Sequence, residues 1–125
     1  MIRWGVLSTA KIGREQVIPA ILEAKGASLT AISSRDPEKA KALADHFGAT
    51  FSFGSYEELI SSKHIDAVYI PLPTSDHVNW SIKTAEMGKH VLCEKPIALK
   101  SSDIDKLIQT ESQSKVLISE AFMVT

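Results

Sequence analysis

The sequence lacks most of the features that would assign it to a specialised class of protein. It has one cysteine in 125 residues, Cys93, so no internal disulfide can form. Its 14 basic residues nearly balance its 15 acidic ones, which leaves no general field to attract nucleic acid. No apolar run approaches the ~20 residues that a bilayer-spanning helix needs. These absences exclude a disulfide-stapled scaffold, a nucleic-acid-binding surface and membrane insertion.

The composition that remains is typical of a globular protein, with 44% hydrophobic and 23% charged residues. A chain of this size forms one domain and needs no metal to stabilise it, and we expect no metal site. The first residues enter a strand pattern at once, without an apolar signal segment, so we expect a cytoplasmic protein.

Short β-rich runs alternate with longer helical patterns along the chain. Strands are predicted at residues 2–7, 28–33, 49–51, 67–70, 90–93 and 116–121. Helices are predicted near residues 11–24, 37–47, 56–61, 76–87 and 102–113. Because Pro19 lies inside the first helix, we expect a loose turn there and a regular helix only from about Ile18. The alternation predicts an α/β fold in three layers, with a doubly wound parallel sheet of Rossmann type that binds ligands at the carboxyl ends of its strands.

Three sites along the chain carry signals for helix ends. Asp36 before Pro37 is typical of an N-cap followed by a first-turn proline. Gly48 and Gly88 follow helical patterns, at the positions where C-caps are expected. These signals make residues 37–47 the best-defined helix of the sequence.

The chain leaving the first predicted strand has the spacing of a dinucleotide-binding fingerprint, G-x-G-x-x-G, without all its glycines. Its three positions hold Ser8, Ala10 and Gly13. Small residues let the backbone approach a pyrophosphate, which binds N–H groups at the helix N-terminus. Because β-carbons penalise a positive φ at Ser8 and Ala10, we expect a loop conformation somewhat different from the all-glycine one. A tight turn without a ligand is the alternative.

The end of the second predicted strand bears on the choice between NAD and NADP. About twenty residues after Gly13, where NAD enzymes place an acidic side chain on the ribose, the chain has Ser34 and Arg35. A 2'-phosphate repels a carboxylate but accepts hydrogen bonds from serine and arginine. We therefore predict NADP rather than NAD, with Asp36 capping the next helix and Lys39 as a candidate second cation. The alternative leaves Arg35 as a solvated surface residue.

A stiff, proline-containing ledge follows the fourth predicted strand and ends at Pro73. It is suited to flank a nicotinamide ribose, with Thr74 and His77 available for hydrogen bonds. The alternative makes Ser75 or Asp76 a helix cap and His77 an exposed first-turn residue.

The fifth predicted strand runs directly into Glu94, Lys95 and Pro96. A lysine at this edge can orient a substrate hydroxyl or carbonyl, or take part in proton transfer, while Glu94 fixes its position and balances its charge. The alternative is a charged surface turn.

Together these segments resemble the N-terminal domain of the glucose-fructose oxidoreductase / inositol dehydrogenase / rhizopine catabolism (Gfo/Idh/MocA) family over the whole chain. The resemblance is carried by residues 3–13, 34–37 and 55–59, by Pro73 with His77, and by residues 88–91, 94–96 and 120–123. It implies a pyrophosphate loop formed by Ser8, Thr9, Ala10, Lys11, Ile12 and Gly13. It also implies adenosine-ribose contacts from Ser34 and Arg35, nicotinamide-side contacts from Pro73, Thr74, His77 and Glu94, and a catalytic, cofactor-contacting Lys95.

The resemblance further implies an NADP-dependent oxidoreductase that transfers a hydride between nicotinamide and a small-molecule substrate of sugar, polyol or dihydrodiol type. Family members continue into a second α/β domain that supplies substrate contacts and the oligomer interface. We therefore expect residues 1–125 to be the dinucleotide-binding domain of a homo-oligomeric parent, to lack the substrate domain, and to bind the cofactor without turnover.

Two other functions are compatible with parts of the sequence. One is a sensor or scaffold that binds NADP and in which Lys95 has no catalytic duty. The other is a methyltransferase-like fold that binds a different adenosine ligand. The Glu94-Lys95-Pro96 segment argues against the first, and Arg35 has no use in the second.

Overall fold

The computed structural model describes residues 1–9, 17–95 and 97–121. They contain a six-stranded sheet in the order β3-β2-β1-β4-β5-β6. The strands are β1 (Ile2–Leu7), β2 (Ala27–Ser33), β3 (Phe51–Phe53), β4 (Ala67–Ile70), β5 (His90–Glu94) and β6 (Ile118–Ala121). Every pairing between them is parallel. This order is that of a doubly wound Rossmann-type sheet, so the predicted fold class is confirmed.

Helices connect the strands and cover both faces of the sheet. They are α1 (Ile18–Glu23), α2 (Pro37–Phe47), α3 (Tyr56–Ile60), α4 (Thr74–Glu86) and α5 (Ser101–Ser114). In the ranges that the structure describes, none is both long and apolar enough to cross a membrane.

Two apolar clusters lie on opposite faces of the sheet, because successive strand residues point to opposite sides. On one face, Val6 and Ile32 pack with Ile18 of α1. On the other, Leu7 packs in the cluster that contains Leu59 of α3. The predicted three layers, helix, sheet and helix, are therefore present.

The helix-end signals of the sequence are confirmed. The Asp36 side chain accepts hydrogen bonds from the backbone N–H groups of Glu38 (3.0 Å) and Lys39 (3.4 Å) at the start of α2. Gly48 ends α2 with a φ of +77°, and Gly88 follows α4 with a φ of +80°. Both glycines adopt the left-handed conformation that side chains disfavour.

Several boundaries differ from those predicted. The third strand lies two residues later than predicted, because its pairing begins with Phe51 opposite Ala31 and the chain at Ala49 still bonds back to Ala44 of α2. The last strand begins at Ile118 rather than 116, after Lys115 ends α5 with a φ of +57°. The regular helix from Ile18 is confirmed, whereas the loose turn expected before it lies outside the described residues.

The helix after β4 also begins two residues earlier than predicted. Its N-cap is Pro73, not Ser75 or Asp76, and its first residue is Thr74. The Pro73 carbonyl accepts the hydrogen bond from the backbone N–H of Asp76 at 2.8 Å. The Pro73 carbonyl thus accepts the helix-start hydrogen bond that the sequence analysis assigned to the side chain of Ser75 or Asp76.

The amino edge of the sheet is held by charged residues. The Arg3 guanidinium donates to both carboxylate oxygens of Asp66, at 3.0 and 2.9 Å, and the Arg3 backbone N–H donates to the same carboxylate at 2.8 Å. Lys89 Nζ donates to the carbonyl oxygens of Ser62 (2.7 Å) and Ile65 (2.8 Å). Hydrogen bonds from the Arg3 side chain and then from its backbone lower the pKa of Asp66 to about 2.

The Asp66 carboxylate should contribute stability that depends on pH. Since its pKa is lowered by folding, its contribution is present above the unfolded pKa of about 4 and is lost as pH falls towards 2. We predict that Asp66→Asn lowers the Tm by roughly 2–5 °C at pH 7, a small shift because the ion pair is partly exposed. The difference from the unsubstituted protein should vanish near pH 2. Asp105→Asn, at an exposed position of α5, is the control, and equal effects of both variants would contradict the prediction.

Candidate functional site

The carboxyl ends of four strands meet at one edge of the sheet, because all strands run in the same direction. Leu7 at the end of β1 lies opposite Ser33 of β2, and Val6 lies opposite Tyr69 of β4. Neighbouring strands are ~4.8 Å apart, so the segments that follow β2, β1, β4 and β5 succeed one another over roughly 14 Å. The strand order reverses between β1 and β4, the point at which such sheets bind ligands. The structure thus brings to one edge the four segments that contain the predicted site residues.

The turn after β1 begins with an unusual backbone conformation. Ser8 has a φ of +95°, and its backbone N–H donates to the Ser33 carbonyl at 2.8 Å. The expectation that its β-carbon would keep Ser8 from a positive φ is therefore wrong. Thr9 follows at a partly exposed position. The other predicted loop residues lie outside the described ones: Ala10, Lys11, Ile12 and Gly13.

The segment after β2 presents a fixed serine hydroxyl. Ser34 is 7% exposed, and its backbone N–H donates to the Phe53 carbonyl at 3.1 Å. Its Oγ accepts a hydrogen bond from the backbone N–H of Asp36 at 3.1 Å. No acceptor for the Ser34 hydroxyl hydrogen is found in the described part of the chain.

An aromatic pair lies beneath Arg35. The Arg35 guanidinium carbon is 5.8 Å from the centre of the Tyr56 ring, within the range of a cation–π contact. Tyr56 is buried and packs edge to face against Trp80, with ring centres 5.3 Å apart. Sequence reasoning missed Tyr56, because nothing in the spacing of positions 35 and 56 indicates that the two side chains meet.

A cleft of about 430 Å³ separates the turn after β1 from α2. Among the described residues it is lined by Thr9, Lys39, Ala42 and Leu43. Lys39 is therefore near the first turn, as expected of a second cation at the adenosine end of a dinucleotide.

His77 supports the ledge after β4 from inside. Its side chain is 2% exposed, and its Nε2 donates to the Leu72 carbonyl at 2.5 Å. The alternative of an exposed first-turn histidine is therefore wrong, because α4 begins earlier than predicted and turns this residue towards the sheet. Pro73 is exposed and Thr74 partly exposed on the ledge that His77 supports.

The end of β5 combines a buried carboxylate with an exposed lysine. Glu94 is 8% exposed, and its Oε1 accepts a hydrogen bond from the hydroxyl of Tyr69, which is fully buried. Burial, and then the Glu94 carboxylate, raise the pKa of Tyr69 far above its usual value, so the phenol stays neutral and donates. Lys95 is exposed, and no ion pair joins it to Glu94 in the structure as described. The expected partner of Glu94 was Lys95, whereas the observed one is Tyr69.

Two further residues near this edge, Cys93 and Glu120, are a buried thiol and a carboxylate that bonds the backbone. Cys93 is fully buried, and burial raises its pKa to about 12, which makes its thiol an unreactive core group. Glu120 of β6 accepts a hydrogen bond from the backbone N–H of Ile97 at 2.8 Å and so anchors the chain beyond Lys95. A search of the described residues finds no cluster of three or more His, Cys, Asp or Glu that could hold a metal ion.

A parallel sheet in this order, with a positive φ at Ser8 directly after β1 and hydroxyl and guanidinium groups after β2, defines the class of dinucleotide-binding domains. The model of the Gfo/Idh/MocA family, described as an oxidoreductase family with an NAD-binding Rossmann fold, matches residues 2–122. The chain belongs to this family, and the resemblance inferred from the sequence is confirmed.

Relatives of the chain include several proteins named as oxidoreductases. It is 47% identical over 124 residues to the uncharacterized oxidoreductase ORF334 of Rhizobium meliloti, covering 99% of this chain and 37% of that protein. It is 42% identical over 120 residues to D-xylose 1-dehydrogenase (NADP(+)) 2 of Haloferax volcanii, covering 96% of this chain and 37% of that protein. The crystal structure of KijD10, a 3-ketoreductase from Actinomadura kijaniata in complex with TDP-benzene and NADP, superposes with a TM-score of 0.93 at 33% identity, over 97% of this chain and 38% of KijD10. The chain thus spans less than two-fifths of the length of these relatives.

The positive φ at Ser8 gives a stability prediction. A β-branched side chain is disfavoured in this conformation, so we expect Ser8→Val to destabilise the domain by about 1–2 kcal/mol. Ser8→Gly should destabilise the domain less than Ser8→Val does, since glycine adopts a positive φ without strain. Urea unfolding measures both, with Ser119→Val on the exposed face of β6 as the control. A Ser8→Val protein as stable as its parent would contradict the prediction.

Proposed function

We propose that this chain binds NADP as the cofactor domain of an oxidoreductase that transfers a hydride between nicotinamide and a sugar, polyol or dihydrodiol-type substrate. One observation carries the proposal: polar groups suited to the two ends of NADP follow one another along the carboxyl edge. Ser34 and Arg35 supply a hydroxyl and a guanidinium after β2, Ser8 with its positive φ follows β1, and the buried carboxylate of Glu94 ends β5 beside the exposed Lys95.

The residues after β2 fit the 2'-phosphate of NADP. Ser34 is held by its backbone and offers a hydroxyl hydrogen, Arg35 is placed by Tyr56, and Lys39 lines the adjacent cleft. All three groups donate hydrogen bonds, as a phosphate requires. Asp36, the nearby carboxylate, is engaged with the N-terminus of α2 and so does not take the place of an NAD-type ribose acceptor.

The residues after β4 and β5 suit the nicotinamide half. Glu94 offers a buried carboxylate to ribose hydroxyls, and the ledge supported by His77 provides Pro73 and Thr74 as a wall. Bound there, nicotinamide would supply the hydride chemistry. Lys95 would hydrogen-bond the oxygen of the reacting carbon and stabilise or exchange its proton.

The relatives support the choice of NADP and of a sugar-like substrate. The Haloferax enzyme is a D-xylose dehydrogenase that uses NADP(+), and KijD10 is a ketoreductase seen with NADP and TDP-benzene. Because the chain spans only part of their length, we propose that a second domain outside these 125 residues supplies the substrate contacts and the partner of Lys95 in proton transfer. Residues 1–125 alone would then bind the cofactor without turnover. The proposal includes a homo-oligomeric parent.

The first test of the proposal is ligand preference. The fluorescence of Trp4 and Trp80 can be titrated with NADPH, NADH and S-adenosylmethionine. We expect NADPH to bind at least about tenfold more tightly than NADH, the factor that a charge-assisted hydrogen bond of roughly 1.4 kcal/mol supplies. Tighter binding of NADH or S-adenosylmethionine would contradict the proposal. Cofactor binding by a full-length protein that never oxidises or reduces any polyol or sugar would favour the sensor instead.

The second test reverses the charge at Arg35. Arg35→Glu places a carboxylate where the 2'-phosphate is proposed to bind, so the preference for NADPH over NADH should fall by about 10–100-fold. Lys41→Glu makes the same charge change on an exposed part of α2 away from the cleft, and it should leave the ratio within about twofold. An Arg35→Glu protein that keeps its NADPH preference would disprove the role of Arg35.

A further inference from the structure

The carboxylate of Glu94 is buried with few hydrogen-bond donors. A carboxylate can accept about four hydrogen bonds, and burying a charge without partners is costly. Among the described residues, the one donor to Glu94 is the hydroxyl of Tyr69. The remaining acceptor positions of this carboxylate can therefore take hydrogen bonds from donors outside the described chain, such as those of a ligand.

Tyr69 is rigidly placed to make this bond. It is fully buried on the sheet face that carries α1, in the apolar cluster of Val6, Ile18 and Ile32. In the register of β4 and β5 it lies opposite Leu92, two residues before Glu94, and residues two apart on a strand share a face. A buried phenol has two side-chain torsions and needs a hydrogen-bond partner, so the packing of its ring fixes where its hydroxyl acts.

We infer that Tyr69 is a positioning residue of the proposed NADP site: its hydroxyl holds the Glu94 carboxylate in one orientation for the hydrogen-bond donors of the nicotinamide half. This inference rests on the proposed function. Tyr69 bonds Glu94 and acts on the cofactor through that carboxylate. Without the hydroxyl, Glu94 loses its one described donor and can rotate away from the orientation that a ligand meets.

The test separates the two halves of the cofactor. Affinities are measured for NADPH and for adenosine 2',5'-bisphosphate, which has the adenosine end of NADPH without the nicotinamide or its ribose. We expect Tyr69→Phe to weaken NADPH binding by about 3–10-fold, the worth of one hydrogen bond, and to change the binding of adenosine 2',5'-bisphosphate by less than about twofold. A merely structural role would weaken both ligands equally, and that result, or no loss for either, overturns the inference.

The matched control is Thr84→Val. Thr84 Oγ1 is buried in α4 without a partner in the described chain. The Thr84 carbonyl accepts from the backbone N–H of Lys89, which precedes β5, whereas Glu94 ends that strand, so the substitution deletes a buried hydroxyl at the other end of β5. Both affinities should stay within about twofold of the unsubstituted protein. A nicotinamide-selective loss in Thr84→Val as well would overturn the inference, because any buried hydroxyl would then suffice.

A second variant, Glu94→Gln, tests whether Tyr69 acts through Glu94. Glu94→Gln preserves size and should itself lose NADPH affinity selectively, and Tyr69→Phe should add less than about twofold in that background. Normal NADPH affinity in Glu94→Gln, or a full additional loss in the double variant, overturns the inference. Failure of the unsubstituted protein to bind NADPH would overturn the proposed function too, whereas NADPH binding that is insensitive to Tyr69 overturns this inference alone.

Discussion

The parallel pairing of β1 with β2 on one side and β4 on the other brings the described candidate residues after these strands to one edge of the sheet. Leu7 opposite Ser33 and Val6 opposite Tyr69 align the ends of three strands at one edge. The ladder continues into the turn through the bond from Ser8 N–H to the Ser33 carbonyl. At that point the chain adopts a backbone conformation that costs a serine about 1–3 kcal/mol. A strained residue retained directly after the central strand is typical of a functional turn.

The two edges of the sheet differ in how well their polar groups are satisfied. At the amino edge, Arg3 and Asp66 satisfy each other and Lys89 bonds two carbonyl oxygens. At the carboxyl edge, the Ser34 hydroxyl hydrogen and most acceptor positions of Glu94 have no partner among the described residues. Since unpaired buried polar groups are costly, stability accounts for the groups at the amino edge, whereas the groups at the carboxyl edge are those that the proposed NADP site uses.

Local signals predicted much of the fold. The strands β1 and β4 and the helix α2 lie where the sequence placed them, because periodicity, Asp36 and Gly48 are short-range features. The third strand was misplaced by two residues because pairing with β2, rather than propensity, selects its residues.

The site was predicted as a set of segments rather than as contacts. Parallel topology brings the segments together, and topology follows from the alternation of strands and helices. Which side chains meet depends on tertiary packing. The inward turn of His77 follows from the true start of α4, and the contact of Tyr69 with Glu94 joins residues 25 positions apart. No spacing rule relates such pairs, so the expected partner of Glu94 was Lys95.

The central claim is that the two ends of NADP lie along this one edge, with the 2'-phosphate after β2 and nicotinamide after β5. A crystal structure of the protein with NADP tests it most directly. The account predicts the 2'-phosphate within hydrogen-bond distance of Ser34 and Arg35, and the nicotinamide ribose against Glu94 with Lys95 beside the ring. A cofactor bound in the opposite direction, or with its 2'-phosphate remote from Arg35, would contradict it.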